Sequence, residues 1–129
     1  MPAVATKGLG WGNRSTYIAQ NAAQGRGLAV IQGGSGDDYA ATAAALNALG
    51  IGIQEEASVN AGDPISVINL GEATAIAGAA VNAGQFCKTN AAGQLIPVTT
   101  VGDVIIGQAR SSAAVVGDEF VLLVNLGVN

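Results

Sequence analysis

The sequence predicts an all-β protein, a small barrel or sandwich formed by two similar halves. Short apolar segments follow one another along the chain, separated by turns rich in glycine, asparagine, aspartate and proline. A set of short motifs also occurs twice at nearly constant spacing. The length of 129 residues suits one domain. We assign that domain to residues 17–129 and expect an extended N-terminal arm over residues 1–16.

The repeat defines the two halves as residues 17–71 and 75–127. Each half contains Ile-Gly, then Gly-Asp, an apolar strand and Asn-Leu-Gly, in that order. The first two motifs recur after 55 residues and the last after 56, and this extra residue indicates a β-bulge in the final strand. The matched positions are Gly52/Gly107, Gly62/Gly117 and Asn69/Asn125.

The N-terminal arm is predicted because residues 1–16 are glycine-rich and without hydrophobic period, so they cannot form a core of their own. Trp11, the only tryptophan, lies between two glycines in this segment. Large aromatic side chains are enriched at the hot spots of interfaces. Trp11 is therefore either a flap over the protein's own core or an anchor for another chain.

Ten strands are predicted within the domain. The turn at residues 90–93 has asparagine and glycine where a positive φ is needed. Asp63 and Asp118 each follow a glycine and precede a strand, so we expect them to accept backbone hydrogen bonds as Asx turns. The predicted strands are residues 17–20, 27–32, 39–42, 50–54, 64–70, 74–76, 85–89, 95–98, 104–109 and 119–125.

Residues 38–50 are the one segment in which local preference favours a helix. The segment is rich in alanine, begins with an aspartate that can cap a helix and ends at Gly50. The matching segment of the second half, residues 94–100, is instead rich in β-forming residues and contains Pro97. We therefore expect a strand at residues 39–42 and at most one short helix near residues 43–49.

The charge pattern argues against a nucleic-acid or membrane partner. The formal net charge is −4, and the five basic residues are scattered, so no basic stripe is available to neutralise phosphates. No apolar run approaches the roughly 20 residues of a membrane span, and the N-terminus lacks the features of a signal peptide. The single cysteine suits a chain made in a reducing cytoplasm.

The sequence offers no constellation for catalysis, and we predict that the protein is not an enzyme and needs no cofactor or metal. It contains no histidine, which excludes every imidazole base or ligand. Glu55 and Glu56 are adjacent and would point to opposite faces of a strand. Cys87, without an imidazole to activate it, is expected to be a buried small hydrophobe.

Three segments of the second half resemble the capsid decoration, or cement, proteins of tailed bacteriophages. They are VNAGQFCKTNAAGQL at residues 81–95, GDVIIGQA at residues 102–109 and GDEFVLL at residues 117–123. The resemblance covers about residues 50–127, whereas residues 33–49 depart from the family pattern. It implies a β-barrel or β-tulip module without catalytic residues.

The resemblance also implies a place and a set of partners. Such a protein binds the outer surface of an expanded capsid and clamps adjacent subunits of the major capsid protein, as a homotrimer or, as a second choice, a dimer. The residues expected at the capsid or oligomer interface are Lys7, Leu9, Trp11, Arg14 and Tyr17. The alternative is a small ligand- or glycan-binding β module on a virion surface, although aromatic residues make up only 4% of the chain.

Overall fold

The computed structural model describes residues 12–128, and the side chains of residues 13–127. These residues form nine β-strands and no helix, so none of them belongs to a helix that would cross a membrane. The strands are β1 (Gly12–Ala19), β2 (Ala29–Gln32), β3 (Tyr39–Thr42), β4 (Gly52–Gln54), β5 (Pro64–Ile76), β6 (Phe86–Thr89), β7 (Leu95–Pro97), β8 (Val104–Ala109) and β9 (Glu119–Val128).

The first half closes into a five-stranded barrel in the order β1-β3-β2-β4-β5. Closure depends on β1, which pairs in parallel with β3 and antiparallel with the first part of β5. A closed barrel leaves no strand edge of this half unpaired along the ring. The predicted all-β class and the small barrel are both confirmed.

The second half repeats these pairings with the second part of β5 in the place of β1. This part of β5 pairs antiparallel with β9, which is followed in the sheet by β8, β6 and β7. A single parallel bridge between Ala77 and Leu95 returns from β7 to the chain just after β5. The 13-residue strand β5 therefore belongs to both halves.

Two glycines at matched positions allow neighbouring strands to approach closely. A Cβ on Gly52 would lie 2.3 Å from the carbonyl oxygen of Ile68, and one on Gly107 would lie 2.2 Å from that of Leu123. The register of β8 against β9 shifts between Ile105 and Gly107, opposite the segment that contains Asn125. The bulge predicted in the last strand is confirmed.

Alternating side chains of the strands form two hydrophobic clusters. The smaller fills the first barrel and includes Val30, Ile65 and Val67, with Tyr17 packed against it. The larger joins both halves, since it contains Ile53 and Ile68 from the first and Leu95, Ile106 and Leu122 from the second. The two halves consequently share one main core.

Two of the differences from the predicted strands change the architecture. Strand β1 begins at Gly12, so residues 12–16, which the sequence placed in the arm, are part of the barrel wall. Strand β5 is continuous from Pro64 to Ile76, whereas the sequence predicted separate strands at residues 64–70 and 74–76. In both cases glycine-containing segments that the sequence suggests are turns or loops find hydrogen-bond partners in a neighbouring strand. Gly12, for example, pairs with Gly71.

Residues 43–49 form a loop bound to the second half rather than a helix. The backbone N–H of Asn47 donates to the carbonyl of Thr89, and that of Ala48 donates to the Thr89 hydroxyl, both at 2.9 Å. The Asn47 side chain accepts a 2.6 Å bond from the backbone N–H of Val104. Asn47 also has φ of 61°, outside the helical range. Tertiary hydrogen bonds therefore override the helix propensity of the alanines.

Candidate interaction surface

One side of the sheet formed by β6, β8, β9 and β5 faces solvent, and we call it the outer face. Strand register aligns its side chains in rows across the four strands, because directly paired residues point to the same side. The backbone N–H of Arg110, just after β8, donates to the Val121 carbonyl and continues this register. The outer face comprises one row of Phe86, Gln108, Leu123 and Glu72, a second of Arg110, Val121 and Thr74, and Leu70 beyond them.

Large apolar side chains are exposed on the outer face. Phe86 is 49% exposed, Leu70 46% and Val121 36%. Leu123, between Gln108 and Glu72, is half-buried. Val121 and Leu123 are same-face neighbours on β9 and form a short apolar strip, which Gln108 separates from Phe86. Exposed apolar side chains bordered by polar residues are typical of surfaces that bind a macromolecule.

The outer face also has one unpaired charge of each sign. Three of the four basic side chains in residues 12–128 form ion pairs, and Arg110 is the one that does not. Glu72, likewise, has no ion pair within the described chain. The pairs that do form are Arg14–Glu55, Arg26–Glu119 and Lys88–Asp103.

Glu72 lies at the wall of a cavity of about 180 Å³. Arg14, Arg26 and Glu55 line the same cavity, and its apolar lining comes from Ile53, Ile68 and Ala73. Arg14 donates from Nε to both carboxylate oxygens of Glu55, at 2.8 and 2.9 Å. Arg26 is paired with Glu119, which does not line the cavity, so Glu72 is the charged residue of the lining that has no ion-pair partner.

An ion pair and a thiol are buried among the residues that the structure describes. Lys88 Nζ lies 2.9 Å from Asp103 Oδ2, and both side chains are buried. The Lys88 hydrogen bond, helped by the backbone N–H groups of Thr99 and Thr100, lowers the pKa of Asp103. Cys87 is buried, as predicted, and this burial raises the pKa of its thiol to about 12.

No cluster of three potential metal ligands occurs in the part of the chain that the structure describes. Asp63 and Asp118 have the structural role predicted for them. Asp63 Oδ2 accepts from the backbone N–H groups of Val59 and Asn60, and Asp118 Oδ2 accepts from those of Ala114 and Val115. The repeated acidic positions therefore hold turns.

The five residues predicted at an interface have different surroundings. Lys7, Leu9 and Trp11 lie outside the described residues. Arg14 is exposed on β1, where it borders the charged cavity through its pair with Glu55. Tyr17 is half-buried and packs against the small cluster inside the first barrel. The structure thus gives Arg14 a surface position and Tyr17 a packing role.

The outer face was not identified from the sequence. Its residues come from four strands that are distant in the chain, so only the pairing order brings them together. A partial signal existed in β5, where exposed Leu70, Glu72 and Thr74 alternate with buried residues. The sequence could not indicate that β8 and β6 would extend this face.

The chain is similar in fold to a known protein among the solved structures. No family model matches the sequence, and no curated protein matches it. Among solved structures, the chain is similar to the N base of head fiber gp8.5 of bacteriophage phi29, with 22% sequence identity and a TM-score of 0.66 over 87% of this chain and 92% of that chain. At this identity the likeness establishes a shared fold.

Proposed function

We propose that this chain is a structural protein of a bacteriophage virion that decorates the outer surface of the capsid and clamps neighbouring subunits of the major capsid protein. The observation that carries the proposal is the fold shared with the phi29 head-fiber base over nearly the whole chain. The decoration-protein motifs of residues 81–123 support the same role independently. A body with a buried, satisfied interior and an apolar surface suits binding rather than turnover.

The proposed capsid contact combines the N-terminal segment with a patch of exposed apolar residues, which we call the loop patch. The loop patch comprises Leu46, Leu49 and Val101 from loops and Leu126 from the last part of β9, and all four are exposed. The segments that contain them meet where Asn47 binds Val104 and where Val104 pairs with Val128. Gly12, where the N-terminal segment joins the barrel, pairs with Gly71, which in turn pairs with Val124 near the end of β9.

A glycan-binding role has less support. Glycan sites commonly stack sugar rings on exposed aromatic side chains, and within the described residues only Phe86 is an exposed aromatic. Tyr17 and Tyr39 are half-buried, and Phe120 is buried. The loop patch contains no aromatic residue.

The proposal is tested on phage particles from the host that produces this chain. Purified particles should contain the protein, and cryo-microscopy should place it on the outer surface between adjacent capsid subunits. Removal of residues 1–11, which leaves β1 complete, should abolish its attachment to expanded capsids. Particles that lack the chain altogether would refute the proposal.

Two substitutions separate the parts of the proposed contact. Trp11→Ala should weaken attachment by about 2 kcal/mol if Trp11 is a hot spot. Leu49→Ser, which alters a side chain 74% exposed in the loop patch, should weaken attachment without loss of stability. Val59→Ser is the matched control, because Val59 is 72% exposed but lies outside the loop patch. Equal attachment of all three variants would contradict the assigned surface.

A further inference from the structure

We infer that the outer face is the site at which two copies of this chain associate, with Arg110 of each copy placed beside Glu72 of the other. This inference concerns the purified chain and does not depend on the proposed capsid role. The occupant of the face is a second copy because the face offers its own complement: one unpaired cation, one unpaired anion and an apolar strip between them.

The charges favour an arginine as the group that enters the cavity at Glu72. Arg14 and Arg26 already have carboxylate partners, so the Glu72 carboxylate is the charged group of the cavity lining that is left without an ion pair. Arg110 is the basic residue within residues 12–128 that has no such partner. A guanidinium can bind a carboxylate through two parallel hydrogen bonds. Transfer of Arg110 into this cavity would satisfy both groups.

The positions of the two charges fit a two-fold axis. Glu72 lies on β5 and Arg110 directly follows β8, on opposite sides of β9. A two-fold axis that passes over β9, near Val121 and Leu123, brings each Arg110 over the other copy's Glu72. An isologous contact of this kind forms both ion pairs at once and closes the assembly at two copies.

The centre of the same contact is apolar. Val121 and Leu123 lie at the axis and meet their own counterparts, whereas Phe86 and Leu70 lie farther out on β6 and β5. Burial of this strip supplies the driving force, and the two ion pairs at its border fix the alignment of the copies. The dimer, given above as the second choice, is therefore favoured over the trimer.

The first test is the mass of the purified chain in solution. Light scattering at increasing concentration should give twice the chain mass of 12.6 kDa. Arg110→Glu and Glu72→Arg should each raise the dissociation constant about tenfold or more, since each places like charges together. Glu56→Arg is the control, because Glu56 is an exposed glutamate outside the outer face and should leave association unchanged.

A mixture of the two charge-reversed chains gives the decisive measurement. A chain with Arg110→Glu carries two acidic groups on its outer face, and a chain with Glu72→Arg carries two basic groups. Their equimolar mixture should form a one-to-one heterodimer at least as tight as the wild-type dimer. A three-membered ring cannot alternate two kinds of chain, so restored pairing also excludes a cyclic trimer.

Several results would overturn the inference. A wild-type chain that stays monomeric at high concentration, or forms a trimer, contradicts it, as does a mixture that fails to associate. Circular dichroism identifies a reversed variant that has not folded; Arg110→Gln and Glu72→Gln then take its place and should still weaken association. Equal association of wild type and both glutamine variants would also refute the inference.

Discussion

The two halves of the protein make the same backbone hydrogen bonds around different interiors. In the first half Ala19 donates to the Asp63 carbonyl, and in the second Ala77 donates to that of Asp118, both at 2.8 Å. Yet the first half buries Gln54 at the position where the second buries Ala109. Gln24, Gln54 and Ser58 in the first half correspond to Val81, Ala109 and Ala113 in the second.

The polar trio of the first half is fully hydrogen-bonded. Gln24 Nε2 donates to Gln54 Oε1 at 3.1 Å, and Gln54 Nε2 donates to the carbonyls of Gln24 and Glu56. The Ser58 hydroxyl accepts from the backbone N–H of Gln24. Hydrogen-bonded side-chain amides thus fill the interior of the first half at positions where small apolar residues fill that of the second. The comparison teaches that strand pairing defines this fold, and that its interior tolerates either solution.

The largest effect is expected at the buried Lys88–Asp103 pair, which has no buried counterpart among the described residues of the first half. Asp103→Asn keeps an oxygen for the Thr99 and Thr100 N–H groups but leaves the Lys88 ammonium without a counter-charge. Chemical denaturation at neutral pH should show a large decrease in the free energy of unfolding. The first half has no equivalent buried pair among its described residues, so no substitution of an ion-paired residue there should have the same effect.

The pH dependence of the same pair has a definite sign. Because the folded-state pKa of Asp103 is lowered from 3.8, its contribution is complete above the unfolded-state value. The contribution is lost as the pH falls below 3.8 and through the folded-state pKa. The difference in unfolding free energy between wild type and Asp103→Asn should be constant near neutrality and shrink in acid. A difference that grows in acid would contradict this assignment.

The matched glycines test whether the halves are equivalent. Gly52→Ala and Gly107→Ala each place a methyl group against a backbone oxygen that cannot move without its strand. Both should destabilise the protein by about 3 kcal/mol in urea titrations. Gly34→Ala is the control, since nothing lies within 4 Å of the added carbon. Clearly unequal losses of stability for Gly52→Ala and Gly107→Ala would show that the two halves do not depend equally on this close approach of strands.

Gln54 tests the difference between the interiors. Gln54→Leu removes the acceptor of the Gln24 amide and should cost about 2 kcal/mol, because a buried polar group loses its partner. The double variant Gln24→Leu/Gln54→Leu resembles the apolar second half and should recover part of that loss. A double variant less stable than the single one, by equilibrium unfolding, would show that the polar trio has no apolar substitute.

The smallest effect is expected where a loop of the first half binds the second. Asn47→Gly keeps the positive φ but loses the bond to the Val104 N–H, at a cost of about 1 kcal/mol. Asn47→Ala should cost about 1 kcal/mol more, since alanine is strained at this φ. Equal stabilities of the two variants would show that the positive φ at residue 47 does not affect the free energy of unfolding.

Sequence patterns predicted much of this fold because its turns and strands are local features. The ends of β3 and β8 fell at the predicted residues, and Asp63 and Asp118 hold the predicted turns. The loop at residues 43–49 was harder, since its partners, Thr89 and Val104, lie more than 40 residues away. The outer face depends on strand order, which periodicity within one strand does not encode.

Strand β5 has a mechanical consequence for the whole molecule. Its first part lies in the wall of the first half and its second part in the wall of the second, with no loop between them, and the larger hydrophobic cluster spans both halves. Heat should consequently melt the protein in a single cooperative step. Tension applied to one half would reach the other through covalent bonds, the strongest connection a polypeptide has.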